Sequence, residues 1–260
     1  MKFDPESWAL ERGQWGNLDA ILIAPRATPP RRLVTLCHGF GAPGTDLVSL
    51  VEELIPNLSD SIAPPAFLFP QGPIDLEEEY GMGGARAWWL INMARLADMT
   101  ATEDYEALRN EVPPGIDEAR GALEDCIVAC IEHHSWNDCE LILGGFSQGA
   151  MLTVDTAMRS RRVRPRGLIL WSGALICANH WTESWSENGS NKGGNTASAA
   201  PVVYQSHGRQ DTILPIATGR ALHRFLEALP LEVTYEEFNG PHTIPEIGLQ
   251  GAARLIESLS

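Results

Sequence analysis

A chain of 260 residues, 44% hydrophobic and 20% charged, has the composition of an ordinary globular protein and can bury a full core. Its formal net charge of −15 excludes the basic surface that nucleic-acid binding needs and argues against stable attachment to anionic membranes. The cysteines (Cys37, Cys126, Cys130, Cys139 and Cys177) are odd in number and lack a C-x-x-C pair, so neither a disulfide framework nor a zinc site is suggested. Met1 to Glu6 contains no apolar signal region and no run approaches a membrane span, so a cytoplasmic protein is expected.

Asn17 to Ala24 reads as a strand, followed by a Pro/Arg turn. Leu33 to Leu36 is a second strand that runs into His38-Gly39-Phe40-Gly41. Leu47, Leu50, Val51, Leu54, Ile55 and Leu58 then recur at helical spacing, with a start at Thr45 or Asp46 and an end or kink near Pro56. Ala66 to Phe69 is a short strand closed by Pro70-Gln71-Gly72-Pro73. Residues 74–112 show no clean periodicity; they hold the acidic Glu77–Glu79, the glycine-rich Gly81–Gly84 and the pair Trp88-Trp89. Long excursions of this kind serve as lids or binding loops.

A helix is predicted through Ile116, Ala119, Leu123, Ile127 and Ile131. Leu141 to Leu143 is a strand that meets Gly145-Phe146-Ser147-Gln148-Gly149, and a helix bearing Ala150, Thr153, Val154 and Ala157 follows. Gly167 to Trp171 is the next strand. Asn179 to Ala199, rich in Asn, Ser, Gly and Thr, reads as a surface loop. Val202 to Ser206, a helix marked by Leu222, Phe225, Leu226 and Leu229, and Leu231 to Phe238 complete the alternation. A T-x-x-E capping box, Thr243 to Glu246 with Pro245 in the first turn, predicts the start of the last helix. Strands alternating with helices predict an α/β fold: one mostly parallel central sheet with helices on both faces. A single domain over 1–260 is expected, with loop insertions at about 74–112 and 179–199.

In parallel α/β sheets the functional groups gather beyond the carboxyl ends of the strands. The residues found there are His38–Gly41, Ser147, His207-Gly208-Arg209-Gln210-Asp211, and Gly240-Pro241-His242. Gly-x-Ser-x-Gly between strand and helix places a serine on a strained turn, and the flanking glycines let the backbones pass without a Cβ clash. Serine then acid then histidine is the order expected for such a hydrolase. A serine hydroxyl needs a base to become a nucleophile, and His242 is placed to be that base. Asp211 would hold the imidazole tautomer and stabilise the imidazolium. The oxyanion of acyl transfer needs two backbone donors, for which Gln148 N–H and Phe40 N–H are the candidates.

The alternatives are a turn serine for Ser147, a helix N-cap for Asp211 with Thr212 as its rival, and a helix flank for His242. Their joint alignment favours chemistry. His38 and His207 are expected to hold loop backbones. His133, His134, His180 and His223 show no ligand spacing. Of Trp88 and Trp89, one is expected to line a substrate pocket and the other to pack.

The set LCHGFG, GFSQGAM, HGRQD followed by LP, and GPH resembles the phospholipase/carboxylesterase family, which includes the acyl-protein thioesterases. The resemblance runs from about Leu33 to the C-terminus. It implies an α/β-hydrolase fold, a serine mechanism without metal or cofactor, and ester or thioester substrates. It also implies a triad of Ser147, Asp211 and His242, with oxyanion donors on Phe40 and Gln148. Where family members often carry an aspartate after the HGxG loop, this chain has Ala42.

The expected function is a serine hydrolase working through an acyl-enzyme, a carboxylesterase first, with acyl-protein thioesterase or lysophospholipase as the alternative. A non-catalytic, hydrolase-like binding protein is the reading from another class. Expected partners are small or acylated ester and thioester substrates, with no nucleic acid and no stable membrane association. Monomer and homodimer both stay open.

Overall fold

The computed structural model describes residues 4, 6–59, 61–92, 105–190 and 200–259. Strands β1 (Trp8–Trp15), β2 (Leu18–Pro25), β3 (Arg32–Cys37) and β4 (Ala66–Pro70) lie in the first part of the chain, followed by a small pair, β5 (Ile74–Asp75) and β6 (Arg86–Ala87). Strands β7 (Glu140–Phe146), β8 (Gly167–Trp171), β9 (Val202–Gly208) and β10 (Glu232–Phe238) follow. The main sheet runs β1-β2-β4-β3-β7-β8-β9-β10. The pairs β1/β2 and β2/β4 are antiparallel, and every pair from β4/β3 to β9/β10 is parallel.

Strands buried on both faces must be apolar at successive positions, and here the two sides of each strand feed different cores. Leu33, Leu68, Leu143, Leu168, Leu170 and Val203 pack on one face with the helices Ile116–His134 and Gln148–Arg159. Val34, Phe67, Phe69, Ile142, Ile169 and Tyr204 pack on the other, with Leu47–Leu54 and the helix Glu246–Ser258. The α/β arrangement read from the sequence is therefore present.

Several elements differ from the sequence reading. Strand β1 had no clean alternation, because it is an edge strand with a mixed burial pattern. The helix at 47–58 is short: a 3-10 turn over Asp46–Leu50, one α-helical turn over Val51–Leu54, and a second 3-10 turn over Ile55–Asn57 that includes Pro56. The last helix begins at Glu246, with Pro245 at the N-cap and no side-chain cap. The Thr243–Glu246 capping box is thus not formed; the Pro245 carbonyl accepts from the Gly248 and Leu249 N–H groups at 2.9 and 3.2 Å.

The largest correction concerns Asn179–Ala199. Residues Ala178–Ser190 form a helix, and 191–199 lie outside the described residues. Two tryptophans four apart supply what the polar composition concealed. Trp181 is fully buried and donates its indole N–H to Asp155 at 2.8 Å, and Trp185 packs beside it on the core. Asp155, itself buried, also accepts from Arg120 at 2.7 Å and Arg159 at 3.2 Å. Within 74–112, residues 93–104 lie outside the described residues. The part before them is compact: Leu76, Ala85 and Ala87 form a small core with Phe40 and Ile74.

Candidate active site

Parallel pairing brings the predicted residues to one edge of the sheet. Cys37 of β3 stands opposite Gly145 of β7, Phe146 opposite Trp171, Trp171 opposite Ser206, and Gly208 opposite Phe238. Strand β3 is followed in the chain by its neighbour on one side and β7 lies on its other side, so the loops after β3 and β7 flank the point where strand order reverses.

Ser147 adopts φ 56° and ψ −116° at the N-cap of the helix Gln148–Arg159. A non-glycine residue in that region costs about 1–3 kcal/mol and persists only when its surroundings impose it. The constraint is visible: Ser147 N–H donates to Trp171 O at 2.9 Å, and Ser147 O accepts from Ala150 and Met151 at 3.1 and 3.2 Å. The glycines explain how strand and helix approach so closely. A Cβ on Gly145 would lie 2.4 Å from the Gly149 carbonyl carbon, and one on Gly149 would lie 2.0 Å from Cys37 O.

His242 Nδ1 donates to Asp211 Oδ2 at 2.6 Å, and the imidazole packs against Phe146, the residue before Ser147, with ring centroids 4.6 Å apart. This bond places the proton on Nδ1 and leaves Nε2 as the acceptor. Among the described residues no hydrogen bond joins Ser147 Oγ to the imidazole; such bonds often tighten only when substrate binds.

Asp211 is wholly buried at its side chain and surrounded by donors. Oδ1 accepts from the Ile213 and Leu214 N–H groups at 2.9 and 2.8 Å. Oδ2 takes His242 and lies 3.3 Å from His207 Nε2, whose shorter contact is to Leu214 O at 2.6 Å. Burial alone would raise the pKa of this carboxyl. The His207 and His242 hydrogen bonds, the His242 charge and the Leu214 N–H together hold it well below the ordinary carboxylate range. The expected loop-holding role of His207 is thus present, and its contact with Asp211 is an addition the motif spacing did not reveal.

His38 is likewise a backbone holder. Its Nε2 accepts from Gly72 N–H at 2.9 Å, so Nδ1 carries the proton and donates to Gly39 O at 2.8 Å. Burial pushes its pKa down. Gly39 abuts Ser147, since a Cβ there would meet the serine Cβ at 3.3 Å. The next residue, Phe40, and the residue after the serine, Gln148, have backbone N–H groups without an acceptor among the described residues.

Trp88 and Trp89 are both buried, at 1% and 3% exposure, and belong to the core. Their backbone meets the Gln148 side chain, Trp88 through its N–H and Trp89 through its carbonyl. Among the described residues one group of metal-type ligands, Glu11, His133 and His134, has donor atoms within 4.8 Å of one another. The two histidines end the helix that leads into the start of β7, so they lie at the opposite sheet edge from Ser147.

Fold and constellation together define the class: an α/β hydrolase with a serine on the elbow between a central strand and its helix. The chain belongs to the phospholipase/carboxylesterase family, whose profile matches residues 18–260. It is 30% identical over 206 residues to acyl-protein thioesterase 1 of Eremothecium gossypii, covering 78% of this chain and 76% of that protein. It is 28% identical over 210 residues to acyl-protein thioesterase 1 of Kluyveromyces lactis, covering 81% and 82%. Among solved structures, esterase PE8 superposes with a TM-score of 0.72 at 21% identity, covering 94% of this chain and 99% of that one. Zea mays acyl-protein thioesterase 2 gives 0.66 at 16%, covering 92% and 97%. The chain is a hydrolase acting on ester or thioester bonds.

Proposed function

We propose that this protein is a serine carboxylesterase/thioesterase, a single α/β-hydrolase domain in which Ser147, His242 and Asp211 form the triad. The observation that carries the reading is the 2.6 Å Asp211–His242 pair, its imidazole against Phe146, beside a serine held at positive φ. Ser147 Oγ attacks the acyl carbon while His242 Nε2 takes its proton. The carbonyl oxygen becomes an oxyanion received by the Phe40 and Gln148 N–H groups. Collapse breaks the bond to the alcohol or thiol, which leaves with the proton from His242, and the acyl group stays on Ser147. Water then repeats the sequence and releases the acid.

Small carboxylic esters are the preferred substrate class, a preference that rests on the loop insertions expected at about 74–112 and 179–199, since loops rather than fold set the substrate. The five free cysteines suit a cytoplasmic setting. Among the described residues no helix is long and apolar enough to cross a membrane. A second reading, acyl-protein thioesterase, draws on the names of the relatives at 28% and 30% identity.

A fluorophosphonate probe tests the core of the reading. Folded protein should label on Ser147 and the Ser147→Ala variant should not; an unlabelled wild type refutes it and favours a non-catalytic binding protein. A panel of esters and thioesters of graded chain length then separates the two substrate classes. Much faster turnover of a long-chain acyl-cysteine peptide than of short p-nitrophenyl esters would decide for the thioesterase.

A further inference from the structure

The sheet does not itself fix the two oxyanion donors relative to each other. Its last β3–β7 pair is Cys37 with Gly145, and Phe40 and Gln148 both lie three residues beyond. Something outside the ladder must set the distance between Phe40 N–H and Gln148 N–H.

The Gln148 side chain is 1% exposed and uses both ends of its carboxamide. Oε1 accepts from Trp88 N–H at 3.0 Å and Nε2 donates to Trp89 O at 2.8 Å, so the side chain pairs with the chain as a peptide group would. The gripped segment in turn clamps the loop after β3 on both sides of Phe40. Before it, the Trp88 indole N–H donates to His38 O at 3.0 Å. After it, Gly41 N–H donates to Arg86 O at 2.9 Å and Arg86 N–H to Ala42 O at 3.0 Å. The path is closed: from the backbone of Gln148, through its own side chain, through residues 86–89, to the residues flanking Phe40.

We propose that the Gln148 side chain is a positioning residue that sets the separation of the two oxyanion donors through Trp88, Trp89 and the His38–Ala42 loop. The inference rests on Ser147 being the nucleophile. An oxyanion hole acts only with donors about 2.7–3.1 Å from the developing charge, so a small drift of one donor weakens the transition state more than the bound ester.

The test uses Gln148→Met, which keeps length and bulk and deletes both hydrogen bonds. The second variant is Trp88→Phe, which keeps a ring in place and deletes the bond to His38 O. Measured are kcat and KM on p-nitrophenyl butyrate, and Ki for an alkyl trifluoromethyl ketone, which adds to the serine and places an oxyanion in the hole. In Gln148→Met, kcat/KM should fall about 10–100-fold, below the loss for an absent donor. Ki should rise in proportion, with KM nearly unchanged. Trp88→Phe should move both quantities the same way by a smaller factor.

A purely structural role would lower thermal stability without linking kcat/KM to Ki. Folded Gln148→Met with wild-type kcat/KM and Ki overturns the inference, as does a fall in kcat/KM with unchanged Ki. If Gln148→Met does not fold, Trp88→Phe decides by the same two quantities. Fluorophosphonate labelling of wild type separates the failures. Labelled wild type with unaffected variants removes this inference alone, whereas wild type unlabelled at Ser147 removes the reading beneath it.

Discussion

Replacing Gly149 by alanine should damage both stability and activity, and the structure sets the scale. The new Cβ would lie 2.0 Å from Cys37 O, 2.5 Å from Cys37 C and 2.7 Å from His38 O, where ordinary contact begins near 3.4 Å. All three atoms are backbone, so no side chain can turn away. The helix Gln148–Arg159 and the end of β3 must part by more than an ångström. Overpacking costs about 1–3 kcal/mol where neighbours can give; backbone on both sides puts this case at the top of that range or above. At about 2–4 °C per kcal/mol for a chain of this size, Tm should drop by roughly 6–12 °C. The displaced atoms carry Ser147 and the loop to Phe40, and a shift of about 1 Å at reacting groups can cost about 10²-fold in rate. Gly121→Ala is the control. It lies within the helix Ile116–His134 with nothing within 4 Å of its Cβ, and should gain about 0.5–1 kcal/mol. Thermal unfolding and the fluorophosphonate labelling rate below Tm measure both variants. Gly149→Ala with near wild-type Tm and labelling would refute the reasoning.

Asp211→Asn should keep the fold, since an amide oxygen can still accept from Ile213 and Leu214, yet lower kcat by about 10⁴ by favouring the wrong imidazole tautomer; a loss under tenfold in steady-state assays counts against the triad. Stability should fall with acid in two windows. The first opens near the ordinary histidine value of 6.5, because His38 is held below it and the unfolded chain takes up that proton first. The second lies between about 4.5 and about 2 for Glu237, lowered chiefly by its Arg220 hydrogen bonds, and covers Asp211, lowered too. In both windows the unfolded state binds more protons, so the denaturation midpoint should drop from pH 7 to pH 3; a flat midpoint contradicts this. Finally, burial pushes the thiols of Cys126, Cys130, Cys139 and Cys177 up to about 12, and raises Cys37 as well. Iodoacetamide at neutral pH should therefore leave ester hydrolysis intact and alkylate the chain only after denaturation; rapid inactivation would show an exposed thiolate.

Much of this was legible in the sequence because of how parallel sheets are buried. Runs such as Leu141–Leu143 and Leu168–Trp171 must be apolar throughout when each successive side chain enters a core, and few other structures demand that. The strand ends could then be located, and polar residues just beyond them stood out. What escaped was set by contacts across long separations. Trp181 becomes an anchor only because Asp155 waits for its indole, and nothing in an Asn/Ser-rich stretch announces that. Strand β1 has a mixed face because only β2 pairs with it. Gln148 was readable as the backbone after a nucleophile, but its side chain finds its partners at residues 88 and 89, beyond any local pattern. The pair Trp88-Trp89 drew attention for its rings, yet much of its part near the site is played by main-chain atoms.

The Cys37–Gly145 register has a bearing on how such a protein can change over time. The ends of the two strands that lead into the serine turn and the glycine-flanked loop are brought side by side by main-chain hydrogen bonds, which are indifferent to which apolar side chains fill either face. Drift among the strand side chains therefore has little leverage on where those strand ends meet, so long as the layers stay filled. Beyond the reacting residues themselves, substitution is most constrained where backbone touches backbone, as at Gly145, Gly149 and Gly208. Variation is left to the rim, and a new substrate can be acquired there by lengthening a loop without rebuilding the turn that carries the serine.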